Sequence, residues 1–152
     1  MASGDEYLLY NELKLDATLS NTEECFNSIR DIIITKLILN EVDPDNCIQV
    51  QKKSQIQPLV SHITQKLTHE QKPILLYSYG QHIHRQISVL EVVKTKLREQ
   101  QFNFHQYNNL SCLVQISQGR NELLQKKINI PVMLIIIASK ELIMSLEGFQ
   151  KQ

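Results

Sequence analysis

The stretch Gly80-Gln81-His82-Ile83-His84-Arg85 concentrates groups able to hold an anion. It follows an apolar run, Ile74–Tyr77, and opens a segment with helical periodicity. A helix start leaves backbone N–H groups unpaired and carries partial positive charge, so it attracts phosphate or carboxylate. Gly80 lets the chain turn sharply and lets a ligand approach the backbone. His82, His84 and Arg85 add side-chain donors in the first turn. The loops GxGxxG and GxxxxGK[ST] are absent, which argues against a nucleotide as ligand. On this stretch alone, an ordinary solvated first turn explains the same residues about equally well.

Further cations lie elsewhere in the chain. Lys52-Lys53-Ser54 follows a short alternating segment, Cys47–Gln51, at the mouth of a second helical pattern. Arg120, Lys126 and Lys127 fall in a polar segment, residues 117–127. Each alone is an ordinary surface charge. They gain meaning if the fold gathers them. In a β-α-β-α order, both helix starts lie at one edge of a parallel strand pair. A shared basic edge of that kind would follow a nucleic-acid backbone through Lys and Arg contacts to phosphate. Tyr77 and Tyr79 straddle the strand end; one of them could stack on a base, with core burial expected of Tyr77.

Other chemistries find little support. His82 and His84 are two apart and diverge on a helix, whereas a zinc-binding helix uses positions i and i+4. Cys25, Cys47 and Cys112 are scattered, with no CxxC, so reduced thiols are expected and neither a disulfide framework nor a metal site. No GxSxG is present, and acids are sparse after residue 47, which disfavours a hydrolase and a two-metal nuclease. No cofactor is implied. The longest purely apolar run, Val132–Ala138, is far below the roughly 20 residues of a membrane span. The acidic N-terminus has no secretory pattern, so a soluble intracellular protein is expected.

The formal net charge of zero hides an asymmetry. Residues 1–47 carry ten acids against three bases, while the rest of the chain carries thirteen bases against six acids and all five histidines. The C-terminal part can attract a polyanion; the N-terminal part would repel one.

The elements that must position these residues follow from periodicity. Ser20 and Glu23 match a capping box ahead of a helix carrying Phe26, Ile29, Ile32, Ile33 and Leu37, apolar over a wide arc and ended by Asp43-Pro44-Asp45. Cys47–Gln51 reads as a strand. Pro58 suits the first turn of a helix with Leu59, Val60, Ile63 and Leu67 on one face. Ile74–Tyr77 is a buried strand. Ile83, Ile87, Leu90, Val93 and Leu97 define a long helix to about Glu99. Phe102–Ile116 suggests a strand interrupted at Asn108-Asn109, Ile130–Ile137 a strongly apolar strand, and Leu142–Leu146 a last short one. The order β-α-β-α-β-β predicts a two-layer α+β domain over residues 46–152, with right-handed crossovers and both helices on one face of the sheet. Residues 1–45 form an acidic extension with one helix. The last two long strands pair as a hairpin with the basic segment at its tip.

Two blocks carry a family likeness: YSYGQHIHRQISVLEVVK (77–94) and GRNELLQKKINIPVMLIII (119–137). With the trailing EGFQKQ (147–152), they resemble the eukaryotic Alba-type proteins, most closely the Alba-type subunits of fungal nuclear ribonuclease P and ribonuclease MRP, the Pop-six type. The likeness covers about residues 46–152. It implies the Alba fold, a non-catalytic role in tRNA and rRNA processing, and residence in the nucleus and nucleolus. It also implies a heterodimer with a second Alba-type subunit, the Pop-seven type, bound to a stem and internal loop of the ribonuclease P or MRP RNA. Association with telomerase RNA and with other ribonuclease P/MRP proteins follows from the same likeness. The family's RNA contacts map here onto Lys52, Lys53 and Ser54, onto Ser78, Tyr79, Gly80, His82, His84 and Arg85, and onto Gly119, Arg120 and Asn121. In archaeal Alba proteins the turn after the second strand is more basic. Here it reads SYG, with Arg85 one turn later, which implies a subunit that shares RNA binding with its partner. The competing expectations are a DNA- or chromatin-binding Alba homodimer and a protein-interaction adaptor.

Overall fold

A computed structural model describes residues 7–10, 13–15, 21–34, 42–118, 125–140 and 149–151. The strands are β1 (Tyr7–Tyr10), β2 (Leu13–Leu15), β3 (Cys47–Gln49), β4 (Ile74–Tyr79), β5 (His105–Gln118), β6 (Gln125–Ala138) and β7 (Gln150–Lys151). The helices are α1 (Thr22–Ile32), α2 (Ile56–Gln65) and α3 (Ile83–Glu99). From β3 to β6 the order is the expected β-α-β-α-β-β.

All the strands join one sheet, in the order β2-β1-β5-β6-β4-β3, with β7 also paired to β5. β3 and β4 are parallel, Ile48 opposite Leu76, as a β-α-β crossover requires. β4 lies antiparallel to β6, and β5 antiparallel to β6 from His105↔Ala138 to Gln118↔Gln125. β5 is continuous through Asn108 and Asn109, because both keep their register opposite Ile135 and Leu134. Their polarity does not break a strand whose backbone groups are already paired.

Strand periodicity splits the core between the two faces. On one face α2 and α3 cover Leu76, Ile135 and Ile137 with Val60, Ile63, Val89, Val93 and Leu97. On the other, Leu75, Tyr77, Val132, Leu134 and Ile136 pack against α1 through Cys25, Phe26, Ile29 and Ile33, and against Leu8 and Tyr10 of β1. Thus α2 and α3 share a face as expected, and the acidic helix closes the opposite one. Burial raises the thiol pKa of Cys25 and takes that of Cys47 to about 11, so neither thiol is activated.

Three further details differ from the sequence-based expectations. α1 is capped by Asn21, whose Oδ1 accepts the Glu24 N–H at 3.2 Å, so the cap-to-acid spacing holds one residue later than Ser20 and Glu23. The buried stripe of α3 is Gln86, Val89, Leu90, Val93 and Leu97, while Ile87 is exposed. β1 and β2 occupy a stretch where periodicity predicts no strand, because short polar-flanked strands give a weak periodic signal. The expected strand at Leu142–Leu146 lies outside the described residues.

Candidate nucleic-acid interface

The parallel ladder between β3 and β4 continues one step past β3, where the Val50 N–H donates to the Tyr77 carbonyl at 3.1 Å. The chain then turns over Gln51–Ser54. Two reciprocal bonds close the turn: the Gln51 N–H donates to Ser54 Oγ and the Ser54 N–H to the Gln51 carbonyl, both at 2.9 Å. A serine hydroxyl suits this geometry because it accepts from a nearby backbone N–H. Lys52 and Lys53 ride on the turn, both exposed.

At the end of β4, Gly80 has φ +54°, the left-handed region in which other residues are strained. A Cβ there would come within 3.2 Å of Ile130 Cγ2. Glycine is therefore required by backbone angle and by space together. A single 3-10 turn, Gly80–His82, leads into α3.

The two loops are joined. His82 Nδ1 accepts the Lys52 backbone N–H at 2.9 Å, and Arg85 Nε donates to the Lys52 carbonyl at 3.2 Å. One residue of the first turn is thus gripped at both its backbone groups by the start of α3. Accepting at Nδ1 leaves the His82 proton on Nε2 in the neutral ring. Burial lowers the His82 pKa, and the nearby Lys52 charge adds to the effect. The ring is 2% exposed and packs edge-on against Phe26 at 5.2 Å and Tyr79 at 5.1 Å between centroids. A second bolt lies beneath. Gln86 Nε2 donates to the carbonyls of Leu76 at 2.9 Å and Met133 at 3.2 Å, and its Oε1 takes the Ser78 hydroxyl. These bonds tie both loops to the strands beneath them.

Neither helix start at this edge is closed by its own sequence. The residues at the N-cap positions of α2 and α3, Gln55 and His82, make no side-chain capping bond, and neither first turn contains an acid. Among the described residues, no carboxylate lies within ion-pair distance of Lys52, Lys53 or Arg85; the described salt bridges are Lys66–Glu70 and Lys94–Glu91. The edge therefore combines two helix starts, exposed Lys52, Lys53 and His84, and half-buried Arg85. Such an edge can hold successive phosphates.

The structure brings Lys52, Lys53, Ser54, Gly80, His84 and Arg85 together. The side chains of Ser78, Tyr79 and His82 lie inside, beneath that surface. Burial raises the Tyr79 hydroxyl pKa, and its ring lies 4.9 Å from that of Phe26. Gly119, Arg120 and Asn121 lie outside the described residues. Lys126 and Lys127 are exposed on β6, beyond Val132, which pairs with Tyr79. Gln51, Gln86, Glu23 and Phe26 also build the site. Gln86 had one available signal, a polar residue inside an apolar helical stripe; the others had none. Among the described residues no cluster of three or more His, Cys, Asp or Glu is arranged to hold a metal ion, and no helix is long and apolar enough to cross a membrane.

The Alba family model matches residues 46–114, the stretch from β3 into β5 that contains both loops of this edge. Over 94% of its length the chain is 26% identical to the ribonucleases P/MRP protein subunit POP6 of Saccharomyces cerevisiae, of which the match covers 96%. Among solved structures, Alba from Thermoplasma volcanium is similar over 61% of this chain and 99% of its own, at 17% identity and a TM-score of 0.42. The Alba match contains β3, α2, β4, α3 and most of β5, while the likeness to POP6 extends over nearly the whole chain, acidic N-terminal segment included.

Proposed function

We propose that this chain is a non-catalytic, RNA-binding scaffold subunit of a ribonuclease P or ribonuclease MRP particle, working in the nucleus and nucleolus. The observation that carries the RNA role is the edge itself: two uncapped helix starts joined through the Lys52 backbone, with Lys52, Lys53, His84 and Arg85 around them and no carboxylate in ion-pair range among the described residues. The likeness to POP6 supports the choice of particle. Lys52, Lys53, His84, Arg85 and the backbone at Gly80 contact the RNA. Ser54, Ser78, Tyr79 and His82 hold that surface in place. Gly119, Arg120 and Asn121 contact the RNA as well, and exposed Lys126 and Lys127 of β6 add to the cationic surface.

The second Alba-type subunit docks on the α2/α3 face of the sheet. There, among the described residues, Leu110 and Cys112 of β5 stay exposed, Leu110 at 68%. Register places these two opposite Met133 and Pro131, and exposed Ile87 on α3 follows Gln86, whose amide reaches the Met133 carbonyl. An apolar strip of that kind suits a protein partner. The RNA bound by the pair is a stem with an internal loop of the ribonuclease P or MRP RNA, and telomerase RNA is a further candidate.

The test is binding of the full chain, alone and with its co-purified Alba-type partner, to a matched RNA stem-loop and a DNA duplex. The RNA is expected to bind more tightly. Replacing Lys52, Lys53 and Arg85 with Ala should flatten the salt dependence by roughly 0.7–0.9 of a log unit for each phosphate no longer neutralised. Equal affinity for DNA would favour a DNA-binding homodimer; unchanged RNA binding by the triple variant would favour an adaptor. Leu110→Asp should lower affinity for the partner by at least about tenfold, as expected for a charge placed in an apolar interface.

A further inference from the structure

Net charge alone assigns the N-terminal segment the role of repelling RNA. Its packing points elsewhere. Glu23, in the first turn of α1, accepts the Gln51 amide at 3.1 Å, and Gln51 begins the turn that carries Lys52 and Lys53. Three residues further, the Phe26 ring meets His82, which holds the Lys52 N–H, and also Tyr77 and Tyr79 at the end of β4. One helix therefore touches both loops of the cationic edge from below, each through a different side chain.

We propose that α1 is a positioning element of the RNA-binding edge, in which Glu23 and Phe26 fix the spacing between the Lys52 turn and the Gly80 junction without touching RNA. The inference rests on the RNA role proposed above. Its physical basis is preorganisation. A lysine turn held in register with the start of α3 presents its cations without ordering them on binding, and each flexible side chain or loop ordered at that moment costs affinity. Phosphate contacts fix register as well as strength, so a turn that drifts relative to the junction can no longer reach the same phosphates. Glu23 is exposed and acidic, which makes its two roles separable. As a charge it opposes RNA; as a hydrogen-bond acceptor it secures the turn.

Those roles predict opposite signs. Glu23→Gln keeps an acceptor for the Gln51 amide and removes the charge. Glu23→Ala removes both. Glu24→Ala removes a neighbouring exposed charge that has no described side-chain contact with either loop. The assay is affinity of the full chain for an RNA stem-loop of about 12 base pairs, measured across a salt series, with folding monitored by thermal unfolding. Glu23→Gln and Glu24→Ala should tighten binding by up to about threefold, the size expected for one partly screened charge. Glu23→Ala should instead weaken it by about three- to tenfold and flatten the salt slope by nearly one log unit, as when about one phosphate is no longer neutralised. His82 supplies an independent check. His82→Asn, whose Oδ1 sits where Nδ1 does and can accept the Lys52 N–H, should retain affinity and slope better than His82→Leu. If Glu23→Ala tightens binding as Glu24→Ala does, the helix acts by charge alone and the positioning role is wrong, while the RNA role stands. If Arg85→Ala, run alongside, leaves affinity and slope unchanged, the RNA role fails and the positioning role fails with it.

Discussion

Helices α1 and α3 begin near the same buried ring, His82, and their first turns are built in opposite ways. The start of α1 is closed: Asn21 caps it, and Glu23 and Glu24 place negative charge where the helix is positive. The start of α3 is open: it has no capping side chain and no acid, and it follows a glycine in the left-handed region. α2 starts open as well. A helix end left unclosed costs stability, about 1 kcal/mol for a missing cap. On the proposed reading, two such ends at one edge, beside the closed start of α1, are where RNA rather than the protein supplies the negative charge. The closed helix braces the loops from beneath; the open ones face outward.

The contrast breaks most completely at Phe26. Phe26→Ala should lower stability by about 3–5 kcal/mol in urea unfolding, because its ring is fully buried among Tyr77, Tyr79 and His82. Gly80→Ala comes next. The left-handed φ costs an alanine about 1–2 kcal/mol, and Ile130 must also yield to the new methyl. Thermal unfolding reads that destabilisation, and RNA affinity should fall with it. Exchanging the two kinds of helix start sharpens the contrast further. Asn21→Ala should cost about 1 kcal/mol by unfolding. Gln55→Asp should close α2, stabilise the fold by about 1 kcal/mol and weaken RNA binding, so that stability and affinity move in opposite directions.

The smallest effect is a pH dependence. His82 has a lowered pKa in the folded chain and about 6.5 in the unfolded one. Its contribution is therefore complete above about pH 6.5 and is lost as pH falls toward the folded value, because the unfolded chain then binds the proton more readily. Protonating Nδ1 also breaks the bond from Lys52. Stability measured at pH 7.5 and 5.5 should fall in the wild type, and His82→Asn should remove part of that fall.

Much of this is legible in the residues. The strand–glycine–helix junction, the end of α3 at Glu99, and the parallel order that brings two helix starts to one edge all follow from periodicity and from the position of Gly80. What periodicity cannot reveal is which polar residues face inward. His82 and His84 look alike in sequence, yet the turn of the helix sends the first into the core and leaves the second in solvent. Gln51 and Glu23 meet across 28 positions, and no local pattern announces such a meeting. Charge counting fails for the same reason at α1. A net of acids says how a segment repels a polyanion, and nothing about a phenylalanine on its other face.

The most direct test of the central claim is to locate the RNA along α3. The helix has 17 residues and so spans about 25 Å. Its start carries His84 and Arg85, and its far end carries Lys96 and Arg98. Ultraviolet crosslinking of the full chain to an RNA stem-loop, with the modified peptides identified by mass spectrometry, separates the two ends. Crosslinks at residues 52–54 and 80–85 are the predicted result. Crosslinks confined to the segment around Lys96 and Arg98 would contradict it.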